Sequence, residues 1–93
     1  MDMKWTAKAA VQVPLGHAKE GFIGSIQSLS AQASASGLPA AEMERRLIEL
    51  GFVEGTRVQI LHEGFFWRDP IAVRVNGATV ALRRSEAMAV IVC

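Results

Sequence analysis

Cysteine is almost absent from this chain of 93 residues: Cys93 is the only one, and it stands last. A single thiol can neither close a disulfide within the chain nor supply the paired thiolates of a cysteine-based zinc module. Nothing therefore points to an oxidising compartment, and the cytoplasm is the expected location. Histidine is scarce as well, limited to His17 and His62. An excess of either charge is missing: ten Lys and Arg face nine Asp and Glu, for a formal net charge of +1. Such a chain has no global field with which to gather nucleic acid or an anionic membrane. No apolar run approaches the roughly 20 residues of a membrane-spanning helix, and the first eight residues lack the apolar centre of a secretion signal. The expectation is a soluble, unexported protein with no direct membrane insertion. Catalytic machinery is missing too: there is no Gly-rich phosphate loop, no His beside a nucleophile and no evident carboxylate pair. An enzyme is not expected.

What is present suffices for one domain spanning residues 1–93, since 51% of the residues are hydrophobic and 20% charged, a balance that can bury a core. Residues 1–8 are expected to be disordered. Two short alternating stretches, Ala10 to Val13 and Phe22 to Ile26, predict strands on either side of the turn-like Pro14-Leu15-Gly16-His17. From Ser28 to Gly37 the composition falls to Ser, Ala, Gln and Gly with one Leu, which reads as a surface connection, mobile over residues 30–37.

Pro39 suits the first position of a helix, where its missing N–H would have no acceptor. Met43, Leu47 and Leu50 then recur at helical spacing with Ile48 beside them, while Glu42, Arg45, Arg46 and Glu49 take the wet face. Glu42 and Arg46 have the favourable i, i+4 order for a surface pair. Gly51 is placed to end the helix in the left-handed conformation.

After Gly55 the period changes to two. Val58, Ile60 and His62 share one face of a strand and Arg57, Gln59, Leu61 and Glu63 the other. Gly64 to Asp69 interrupts the alternation, and Pro70 is tolerated only at a strand's start or edge, so a loop is expected before Ile71. Ile71, Val73 and Val75 lead into Asn76-Gly77, the residues of a type I′ turn, and Val80 and Leu82 return. Arg83 to Ala87 is polar and short, suited to a single 3₁₀ turn ahead of an apolar, buried strand over Met88 to Val92. Five to six short strands with one helix over about residues 39–50 predict a mainly β fold. A small SH3-like barrel is the natural solution, since closure removes exposed edges.

The ordered set Arg46-Leu47-Ile48-Glu49-Leu50-Gly51-Phe52-Val53-Glu54-Gly55-Thr56-Arg57-Val58, Asp69-Pro70-Ile71, Asn76-Gly77, Val80 to Ala87 and Ile91-Val92 resembles the ferrous iron transport protein A (FeoA) family. The likeness is close over about residues 43–92 and looser over residues 13–29, where Pro14-Leu15-Gly16 and Gly21-Phe22-Ile23-Gly24 resemble that family's first strand pair. The resemblance implies a cytoplasmic, non-enzymatic accessory of ferrous iron transport. Its partner would be the cytosolic GTPase domain of the membrane transporter, which would hold it peripherally at the inner membrane. The same barrel forms the C-terminal domain of iron-dependent repressors, so a metal-responsive regulatory module is the alternative. With no winged-helix sequence ahead of it, the stand-alone accessory is expected. One departure is local: Phe65-Phe66-Trp67 stands where the family usually has a compact Pro- and Gly-containing segment.

Those three aromatics cannot all enter one small core. Phe65, Phe66, Trp67 and Arg68 are therefore the candidate partner-binding residues, either as an interaction patch, for the transporter or for a homodimer, or as a cover over an open barrel end. Arg83 and Arg84 invite the thought of an arginine finger toward a GTPase, although a solvated turn paired locally with Glu86 is the plainer reading. Metal would have only weak candidates, His17, Glu20, His62 and Glu63, with Cys93 the one soft ligand. No cofactor is expected to be required, and any divalent ion should be weakly held. RNA binding would call for clustered basic residues with aromatics on strands, a pattern this chain does not have.

Overall fold

The computed structural model describes residues 11–31 and 38–93. Six antiparallel strands form one sheet: β1 (Val13–Pro14), β2 (Ile23–Leu29), β3 (Arg57–Phe66), β4 (Asp69–Val75), β5 (Ala78–Leu82) and β6 (Val90–Val92). Two helices accompany them, α1 (Ala40–Glu49) and the single turn α2 (Arg84–Ala87), with a 3₁₀ turn at Leu15–His17. The strand order is β1-β6-β2-β3-β4-β5, so the ladders end at β1 and β5. β2 joins the two halves: its first residues, Ile23 to Ser25, pair with β3, and Ile26 to Leu29 pair with β6 across a bulge. No helix among the described residues is long and apolar enough to cross a membrane.

The period-two segments build the core as the sequence predicts. Val58 and Ile60 of β3, Ile71, Val73 and Val75 of β4 and Leu82 of β5 are all buried, and Val80 packs against them. Helix α1 buries Met43 and Leu47. It starts one residue later than expected: Pro39 caps it from outside, its carbonyl accepting the N–H groups of Glu42 and Met43 at 3.1 and 3.0 Å. Gly51 ends it at φ +107°, a conformation that costs glycine nothing. Phe52, fully buried, then turns inward, and its N–H returns to the Leu47 carbonyl at 2.9 Å.

Several expectations are corrected. Ile48, placed beside the buried stripe, lies 49% exposed. Arg46 pairs with Glu86 of α2 at 3.2 Å rather than with Glu42, tying the two helices together. The expected 3₁₀ turn after Leu82 is one turn of α-helix. The strand expected over Ala10 to Val13 is reduced to Val13–Pro14; Ala10 lies outside the described residues, as does the expected disorder of residues 1–8. The expected connection begins later than Ser28: Ser28 and Leu29 complete β2, Ser30 donates to the Ala89 carbonyl at 2.7 Å, and Ala31 is buried. Its remainder, residues 32–37, lies outside the described residues.

Candidate partner-binding site

The expected loop over Gly64 to Asp69 is a β-hairpin. β3 runs to Phe66, β4 starts at Asp69, and Phe66 pairs with Asp69 across a two-residue turn made by Trp67 and Arg68. Both turn residues have positive φ, 62° and 58°, the requirement of the type I′ turn that favours Asn and Gly. Neither Trp nor Arg signals such a turn, which is why the sequence reads as a loop there. A second irregularity sets the tip's orientation. The β3–β4 register shifts between Ile60 and His62 and again between Glu63 and Phe66, and each added residue in a strand turns the following side chains. His62, expected beside Val58 and Ile60, consequently faces water. Gly64 sits in the second irregularity, where a Cβ would run into the carbonyl of Asp69.

The tip that results presents Phe65, Phe66 and Trp67 at 97%, 78% and 91% exposure, with Arg68 exposed beside them. The aromatics therefore cover no barrel end. Three adjacent large apolar side chains held in water are the pattern of a surface that another molecule covers.

Below the tip, Arg84 holds the hairpin to the rest of the fold. Its Nε donates to the Arg68 carbonyl at 2.8 Å, its backbone N–H to Asp69 Oδ1 at 2.8 Å, and its Nη2 to Glu63 Oε2 at 2.7 Å. Nη1 donates to the carbonyls of Gly16 and Ala18 at 3.0 and 2.6 Å, so one side chain joins the 3₁₀ turn, β3 and the hairpin tip. The Arg84 and Glu63 side chains are only 19% and 14% exposed. Arg84 is thus neither a solvated residue nor an available finger, because every nitrogen of its guanidinium is bonded within the chain. Glu86 accepts the Arg83 backbone N–H at 3.0 Å, the one local pairing that matches the sequence reading. Nothing near Arg84 in sequence reveals this role, since Glu63 is 21 residues away.

The metal candidates do not converge. His17, Glu20 and His62 are exposed, and Glu63 Oε2 is occupied by Arg84 and by the Glu20 N–H at 3.2 Å. Among the described residues no group of three or more His, Cys, Asp or Glu could hold an ion.

Residues 13–93 match the FeoA domain. The chain belongs to the FeoA family. Among solved structures, the FeoA of Stenotrophomonas maltophilia is 30% identical with a TM-score of 0.68, covering 90% of this chain and 91% of its own. That protein was solved with zinc and is described as an SH3 domain protein and a candidate ferrous iron transport activating factor. The FeoA of Chlorobium tepidum is 32% identical with a TM-score of 0.67, covering 86% of this chain and 68% of its own. A manganese-dependent transcriptional repressor shares the fold at 24% identity and a TM-score of 0.68, covering 87% of this chain and 40% of its own. No curated protein matches the chain. The expected family and SH3-like fold are thereby met.

Proposed function

We propose that this FeoA protein is a non-enzymatic, cytoplasmic accessory of ferrous iron transport. In this reading it binds the cytosolic GTPase domain of the membrane ferrous-iron transporter through Phe65, Phe66, Trp67 and Arg68. The observation that carries the reading is the exposure of three consecutive aromatics on a hairpin tip fixed from below. Aromatic and Arg side chains dominate interface energetics, and a tip held in place before binding loses little entropy on docking. We also take the six strands as the wall of a small barrel, the form in which the edges β1 and β5 would be protected.

Trp67→Ala is expected to weaken binding to the purified GTPase domain by about 1 to 4 kcal/mol, with stability changed by no more than about 0.5 kcal/mol, as for other exposed positions. Titration calorimetry and a melting curve on the one variant check both. If the tip instead joins two copies, sedimentation will show the wild-type dimer dissociating in the variant while transporter binding persists. Unchanged behaviour in both assays would remove the tip from the function.

No metal is required for folding in this reading, because the four weak candidates stand apart or are already bonded. A chelator is expected to leave the thermal midpoint within about 1 °C, whereas loss of a structural ion would collapse a small domain. A fall of ten degrees or so would restore the metal-responsive alternative, with His17 and His62 the first positions to replace.

A further inference from the structure

The sheet face opposite the core carries a second feature, independent of the aromatic tip. Alternation that turns Val58, Ile60, Val73 and Val75 inward sends Arg57, Gln59 and Arg74 outward. Register then brings these together: Ile23 of β2 lies opposite Gln59 of β3, Gln59 opposite Arg74 of β4, and Arg57 opposite Ser25 one step along the same face. The result is an open groove of about 400 Å³ across β2, β3 and β4, closed at one end by the Asn76-Gly77 turn. Its apolar floor includes Ile23, which is 55% exposed. No carboxylate lines it.

Arg57 and Arg74 enter no ion pair or side-chain hydrogen bond among the described residues. Two like charges at diagonal positions on neighbouring strands oppose each other. Arg46 and Arg84 each have a carboxylate, at 3.2 and 2.7 Å, whereas Arg57 and Arg74 share one groove whose lining holds none. We propose that this groove binds an acidic, extended peptide segment of a partner protein, with Arg57 and Arg74 each taking a carboxylate and Ile23, across Gln59 from Arg74, receiving an apolar side chain. Guanidinium and carboxylate match in planar, two-point geometry, and an extended segment spaces same-side residues at about 6.5 to 7 Å, which suits neighbouring positions on a sheet. Nucleic acid fits less well, because the groove offers no aromatic platform for a base.

The test is a fluorescence titration of the full chain with a labelled ten-residue peptide containing four glutamates and two leucines. Its all-glutamine counterpart, inorganic phosphate and a short RNA serve as competitors. Saturable binding is expected, at least tenfold weaker for the glutamine peptide and for the Arg57→Gln, Arg74→Gln double variant, and several-fold weaker between 50 and 300 mM salt by ordinary screening. Arg45→Gln, on the exposed face of α1, should leave it unchanged, and the double variant should melt like the wild type because both arginines are exposed. Binding that survives the double variant overturns the proposal. So does the absence of binding at millimolar peptide, equal loss in Arg45→Gln, or displacement of the peptide by phosphate or RNA at lower concentration than the peptide itself requires.

Discussion

Replacing Arg84 by methionine is expected to lower the free energy of unfolding by about 3 to 5 kcal/mol, the cost of removing one partner from a largely buried ion pair. Methionine keeps part of the aliphatic stem and removes all three donor nitrogens. Glu63, whose side chain is 14% exposed in the wild-type fold, then keeps its charge with only the Glu20 N–H, 3.2 Å away, to support it. The carbonyls of Gly16, Ala18 and Arg68 lose their donor at the same time. Urea denaturation followed by circular dichroism measures the loss. Adding Glu63→Gln should recover part of it, because the orphaned charge disappears, and the cycle of four proteins isolates the pair from the carbonyl bonds. A loss below about 1 kcal/mol would place the pair with ordinary surface ion pairs and refute the anchoring role. The partner binding proposed for the aromatic tip should also weaken in the variant, since the Arg68 carbonyl is then untethered.

The elements that the sequence reveals are those whose signals are local. Asn76-Gly77 announces its turn because both residues tolerate positive φ, and the structure places them at 50° and 81°. Met43 and Leu47 announce the buried side of α1 through helical spacing. The Trp67-Arg68 turn gives no such notice. It adopts the same left-handed conformation with residues that disfavour it, held by the pairing of β3 with β4 and by Arg84 from across the fold. Strain of this kind is imposed by tertiary structure, so propensity alone points the wrong way. The bulge after Ile60 shows in the sequence only as a break in phase: strict alternation puts Leu61 outward and His62 inward, while the added residue turns His62 to water. Phe52 escapes for another reason: it follows the helix-ending Gly51, where neither period applies, yet it is fully buried.

The candidate site divides in the same way. That Phe65, Phe66 and Trp67 could not all be buried follows from volume, and the structure leaves all three in water. The Arg84 anchor could not be found by inspection of neighbours, because its acceptors come from residues 16, 18, 63 and 68 and two of them are backbone carbonyls of an irregular turn. Long-range polar networks satisfy groups that sequence patterns do not register. The same limit applies to Arg57 and Arg74, whose closeness depends on strand register rather than on spacing.

Leu47→Ala is expected to cost about 2 to 5 kcal/mol, a transfer loss plus the cavity left where the helix meets the sheet. Leu47 is 1% exposed, lies one helical turn from Met43, and holds Phe52 through its carbonyl, so the space it vacates cannot be filled by solvent or by a surface side chain. In a domain of this size such a loss is a large share of the total stability of about 5 to 15 kcal/mol, and each kcal/mol lowers the melting midpoint by about 4 to 8 °C. The neighbouring residue provides the control. Ile48→Ala removes as many carbon atoms from the same helix at a position 49% exposed, and should cost only about 1 kcal/mol because half of that side chain stays in water in the folded protein. Calorimetric melting of the two variants side by side tests the orientation of α1 directly. Equal costs, or a larger one for Ile48→Ala, would mean that the helix is rotated about its axis and that the Met43 and Leu47 face is not the one docked on the sheet.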